Sequence, residues 1–110
     1  MAQLSKRPKL SELLSPELFK ALGDTNRLGL LTALAERSEP ASVGELRSCC
    51  RVDLSVVSRH LAILRNADVL EADRRGKRVF YRARTQALAR RLHAIADALE
   101  RCCRTEEEGT

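Results

Sequence analysis

Tryptophan is missing from this 110-residue chain, and two phenylalanines and one tyrosine are its only aromatic residues. A sheet that stacks RNA bases needs several exposed rings, so that class of nucleic-acid binder is excluded. No run of about 18 apolar residues exists, which leaves no segment able to cross a bilayer as a helix. The opening MAQLSKRPKLSELL lacks the apolar stretch of a secretory signal, and a cytoplasmic protein without membrane contact is expected. Catalytic equipment is equally scarce. The chain has two histidines, no glycine-rich phosphate loop and no paired acid–base constellation, so an enzyme is not expected.

What is present is charge, unevenly placed. The net charge is +5. Residues 51–84 hold nine Lys or Arg against four Asp or Glu, while the rest of the chain holds eleven of each. The whole surplus therefore lies in one third of the sequence. A solvated charged surface is the plain reading of such a run, but its concentration fits attraction to phosphate better.

Local patterns divide the chain into a loosely ordered arm (1–14), a compact domain (15–104) and an acidic tail (105–110). Ser15-Pro16 supplies an N-cap and a first-turn proline for a short helix. Asp24 or Thr25 caps a second, with Leu28, Leu31, Leu34 and Ala35 at helical spacing. SEPAS reads as a turn, and Ser42 caps a third helix, VGELRSCC. Asp53 caps a fourth, which keeps Leu54, Val57, Leu61 and Leu64 on one face and turns Ser55, Ser58, Arg59 and Arg65 elsewhere. Val69–Glu71 and Arg78–Tyr81 then pair across Asp73–Lys77, with Arg74, Arg75, Lys77 and Arg78 crowded around Gly76. Thr85 caps a last helix running to about Cys103, along which Leu88, Leu92, Ile95, Leu99 and Cys102 recur at +4, +3, +4, +3. Such a narrow seam ordinarily pairs with its own copy.

Helix, three-residue turn, polar helix and cationic hairpin outline a mainly α fold with a β-hairpin wing. This is a winged helix-turn-helix of about five helices and two strands, built to lie on double-stranded DNA.

Several motifs in the right order carry a specific resemblance. Phe19–Arg27, Ser58-Arg59-His60-Leu61-Ala62-Ile63-Leu64-Arg65, Ala67–Leu70, Arg75-Gly76-Lys77 and Val79-Phe80-Tyr81 together resemble the ArsR/SmtB family of bacterial repressors, over roughly residues 15–100. The resemblance implies a homodimer joined through its N- and C-terminal helices, which leaves operator DNA when a metal, metalloid or oxidant arrives. It places Ser55, Val56, Ser58, Arg59 and His60 on or near the major groove. Ser58 and His60 would meet base edges, and Arg59 a phosphate or guanine. Arg65 joins this DNA-facing set, and Arg74, Arg75, Lys77 and Arg78 would hold phosphates or the flanking minor groove. Two familiar effector sites are missing. The positions of the family's Cys-Val-Cys are Ser42 and Gly44, and those of its zinc-binding set are about Thr85, Ala87, Ala98 and Arg101.

Two adjacent cysteine pairs remain, Cys49-Cys50 and Cys102-Cys103. Vicinal thiolates offer two soft donors to one ion, and trivalent arsenic or antimony needs a third. Cys102 and Cys103 lie between Arg101 and Arg104, which favour thiolate, and with Cys49 they form the candidate metal set. Cys50 continues the apolar face of Val43 and Leu46, so it is read first as core and only second as a ligand. His93 and Asp97 read as a surface pair rather than a metal site. No cofactor is required in this reading. Two alternatives stay open: an oxidant or persulfide sensor working through disulfides, and a DNA-binding regulator with no cysteine effector.

Overall fold

The computed structural model describes residues 7–47 and 52–109, with side chains as far as Cys102. Among the described residues five helices and three strands follow in the order α1 (Leu10–Leu13), α2 (Pro16–Leu22), α3 (Thr25–Ala35), β1 (Ala41–Ser42), α4 (Leu54–Asn66), β2 (Leu70–Arg75), β3 (Arg78–Ala83) and α5 (Thr85–Gly109). Side-chain caps open α2 and α3, whereas Thr85, expected to cap the last helix, is its first residue. Ser15 Oγ accepts from the Leu18 amide ahead of Pro16, and Asp24 accepts from the Arg27 amide, which settles the choice between Asp24 and Thr25. Asp53 begins α4 through its carbonyl, with no side-chain hydrogen bond.

Three differences from the sequence reading concern positions near the wing. The sheet has three antiparallel strands in the order β1-β3-β2, not two. Ala41 and Ser42, read as part of a turn, pair with Tyr81 and Phe80. A two-residue strand is too short to carry a periodic signal. The hairpin also extends further than expected, to an Arg75–Arg78 pair closed by Gly76 and Lys77. Gly76 has φ +66° and Lys77 does not have positive φ, the sign pattern of the type II′ turns that suit twisted two-strand ribbons. Residues 43–47 make a helical turn, with the Leu46 amide donating to the carbonyls of Ser42 and Val43. The rest of the expected third helix, with Cys49 and Cys50, lies outside the described residues.

The ends of the chain differ as well. Residues 10–13, read as part of a loose arm, form α1 and pack on α5. Helix α5 passes Cys103 and the segment read as an acidic tail, ending at Gly109.

The core is formed by Leu18, Leu30, Leu46, Val57, Leu61, Leu64 and Val69, all essentially sealed from solvent. On α3 the buried residues are Leu30 and Leu34, whereas Leu28, expected inside, is exposed. Leu54 likewise stays outside, because the first turn of α4 projects beyond the core. At the other end, α4 closes in a Schellman motif. The Val69 amide donates to the Leu64 carbonyl and the Asp68 amide to the Arg65 carbonyl, with Asp68 at φ +63°. That reversal sends the chain directly into β2.

Along α5 the expected apolar seam divides. Ile95 and Ala98 are buried within the protomer, while Leu92 and Leu99 remain 44% and 47% exposed. The helix is about 37 Å long at 1.5 Å per residue. It gives the protomer a radius of gyration of 17.2 Å, well above the roughly 13 Å of a compact chain of this length.

Candidate nucleic-acid interface

Helix α4 and the β2–β3 hairpin define the basic face. Ser55, Ser58, Arg59 and Arg65 are exposed on α4, and Val56 and His60 are half-buried. Ser55 lies in the first turn of α4, at the positive end of the helix dipole, where phosphate is favoured. The buried stripe Val57–Leu61–Leu64 holds this helix against the core, so its polar face is presented on a rigid element.

His60 is not wholly free. Arg27, on α3, donates from Nη1 to His60 Nδ1 at 3.1 Å. Its other donors are also used: Nε to the Ala21 carbonyl at 2.8 Å and Nη2 to the Lys20 carbonyl at 2.9 Å. One guanidinium thus joins the end of α2 to the middle of α4. Asp24, capping α3, carries a carboxyl held below its ordinary range, first by the Arg27 amide and further by the nearby charge of Arg27. Arg27 was legible in the sequence only as part of a family-like motif, because nothing local signals a contact 33 residues away.

The four wing cations divide into two pairs. Arg75 Nε meets Asp73 at 3.0 Å, and Arg78 Nη2 donates to Ser42 Oγ at 3.0 Å. Both guanidinium groups also lie against the Phe80 ring, 4.9 and 5.2 Å from its centre. These cations stiffen the hairpin as well as charging it. Arg74 and Lys77 are exposed and make no such contact among the described residues.

Ser42 is the joint behind the wing. Its buried hydroxyl accepts from Arg78 and from the Glu45 amide, and donates to Glu45 Oε1, while the Ser42 amide donates to the same carboxylate. This capping box keeps the Glu45 carboxyl below its ordinary range, the Ser42 amide being the largest cause.

Of the four cysteines only Cys102 has a described side chain, an exposed free thiol on α5. Cys103 lies on the same helix, but its side chain, like Cys49 and Cys50, is outside the described set. Among the described residues no three His, Cys, Asp or Glu side chains are grouped to hold a metal. No described helix is long and apolar enough to cross a membrane.

A helix set against a core with its polar face open, flanked by a cationic two-strand ribbon, defines a winged helix-turn-helix. Comparison with known proteins agrees. A family profile described as "Helix-turn-helix domain" matches residues 22–72. The "Arsenical resistance operon repressor" of Escherichia coli strain K12 is 43% identical over 75 residues, 66% of this chain and 62% of that protein. Among solved structures, an "ArsR-like Transcriptional Regulator" from Rhodococcus sp. RHA1 superposes with a TM-score of 0.64 at 28% identity, covering 89% of this chain and 85% of that one. A homodimeric winged helix-turn-helix DNA-binding domain from Mycobacterium bovis gives 0.62 at 27% identity, over 83% and 81%. The chain belongs to the ArsR/SmtB family of winged helix-turn-helix transcriptional regulators. It spans about three fifths of the length of the first curated relatives it matches.

Proposed function

We propose that the chain is a cytoplasmic homodimeric repressor that binds operator DNA and lets go when a thiophilic inducer reaches its cysteines. Trivalent arsenic or antimony is the favoured inducer, with other soft metal ions of the same chemistry next. Cys102 and Cys103 are the leading ligands, Cys49 a third, and Cys50 the least favoured. The observation that carries the DNA reading is the open polar face of α4 beside a wing tip where the side chains of Arg74 and Lys77 make no polar or ring contact among the described residues. Arg59, Arg65, Arg74 and Lys77 supply phosphate attraction, and Ser55, Ser58 and His60 supply base-edge contacts.

Two features support the dimer. Leu92 and Leu99 stand exposed along α5, and the cleft between α3 and α5 is lined by Leu31, Ala35, Leu88 and Leu92. A second copy would cover these surfaces and set two recognition helices about one turn of DNA apart. Support for the inducer is the exposed Cys102 thiol together with the arsenical repressor among the relatives.

The same free thiol supports a second reading, in which an oxidant or persulfide draws Cys102 into a disulfide. The test is the affinity of the reduced chain for a duplex selected from a randomised pool. Loss of affinity on adding arsenite or antimonite supports the first reading. Loss only with peroxide or persulfide supports the second. No change with any of them leaves a DNA-binding regulator without a cysteine effector. No catalytic step is assigned in any of the three.

A further inference from the structure

The contact between Arg27 and His60 fixes more than the seat of α4. An arginine side chain only donates hydrogen bonds, so the nitrogen it faces must accept. Arg27 Nη1 lies 3.1 Å from His60 Nδ1, and Nδ1 therefore carries no proton. The single proton of the neutral ring then belongs to Nε2. Arg27 cannot swing away cheaply, because its Nε and Nη2 are tied to the carbonyls of Ala21 and Lys20 at the end of α2.

We propose that Arg27 is a positioning residue that locks His60 as the Nε2–H tautomer, so that the recognition helix offers a hydrogen-bond donor, and never an acceptor, at this position. Such a donor suits guanine O6 or N7, adenine N7, thymine O4 or a phosphate oxygen, and it cannot meet the amino groups of cytosine or adenine. Arg27 behind the ring strengthens the donor by drawing charge toward Nδ1. The Asp24 carboxylate accepts from the Arg27 amide and holds the start of α3 in place. The consequence for DNA rests on the proposed function; the tautomer does not.

The two-histidine chain makes a direct test simple. In the nitrogen-15-labelled full-length protein at neutral pH, long-range proton–nitrogen correlation reads the protonation of each ring nitrogen. His60 is expected to show a protonated Nε2 and a bare Nδ1. In Arg27→Met the two His60 signals should average. On a duplex recovered by the wild-type protein from a randomised pool, Arg27→Met and His60→Ala should each weaken binding roughly tenfold, and the double variant no further. An Nδ1–H or averaged His60 in the wild type overturns the proposal, as does full additivity of the two losses. Should Arg27→Met fail to fold, the wild-type spectrum alone decides the tautomer. Failure of the wild type to bind any duplex counts against the DNA reading and leaves the tautomer to the spectrum.

Discussion

Arg91 on α5 donates from Nη1 to the carbonyl of Ala67, the C-cap of the recognition helix, at 2.8 Å. The helix that bears Cys102 is thereby tied to the end of α4, the helix proposed to face DNA. A charged hydrogen bond to a helix-end carbonyl is worth about 1.5–3 kcal/mol where partly buried. Arg91→Met should lower the free energy of urea unfolding by about 1–2 kcal/mol. It should also blunt inducer release more than it weakens operator binding, measured as the ratio of affinities with and without arsenite.

Asp68 occupies the left-handed region at φ +63° where glycine is the usual occupant. An aspartate tolerates this; a β-branched residue does not. Asp68→Val should destabilise the fold by about 1–2 kcal/mol, whereas Asp68→Gly should stay within about 0.5 kcal/mol of wild type. The contact from Arg84 at 3.8 Å is exposed and adds little. Thermal melting of the two variants separates backbone strain from lost charge.

The wing separates cations that reach out from cations already engaged. Arg74→Gln and Lys77→Gln should each reduce the slope of log affinity against log salt by about 0.9 while leaving the melting temperature unchanged. Arg78→Gln should do the opposite in emphasis. It removes one of the partners of buried Ser42, so melting falls, by the equivalent of about 1 kcal/mol, with a smaller change in slope. Titration at several salt concentrations distinguishes the two classes.

Acid should loosen two joints in a defined direction. The carboxyls of Asp24 and Glu45 are held below their ordinary values of 3.8 and 4.5, chiefly by the amides of Arg27 and Ser42. A depressed carboxyl stabilises the folded state above its ordinary value, and that contribution disappears as pH falls through the folded value. Urea midpoints should therefore drop as pH falls below 4.5 and on through 3.8. Glu45→Gln, which removes the titrating group, should flatten the part of this dependence that belongs to Glu45.

Much of this organisation was written in local sequence. Ser15-Pro16, Asp24 and Ser42 announce helix starts through side chains that act within three residues, and each cap is found where its sequence signal lies. The stripe Val57, Leu61, Leu64 was equally legible, because one buried face imposes its period. What escaped depends on partners distant in sequence. β1 is two residues whose only signal is their pairing with Tyr81 and Phe80. The exposure of Leu28 follows from how α3 is rotated by Leu30 and Leu34 against the core. Arg27 and Arg91 act on residues 33 and 24 positions away, at contacts that only the folded chain creates. For the wing, sequence gave the charge but not its division, since Asp73, Ser42 and Phe80 engage two of the four cations.

Thiol-dependent release of DNA can be read in one titration. Reduced wild-type protein and Cys102→Ser/Cys103→Ser are each titrated onto a labelled duplex by fluorescence anisotropy, with and without arsenite. Arsenite should weaken the wild type by roughly 150-fold, a coupling of about 3 kcal/mol, while the double variant binds equally well in both conditions. Wild-type affinity unmoved by arsenite, antimonite, cadmium and mercury, or a double variant that still releases its duplex, would rule out release through Cys102 and Cys103.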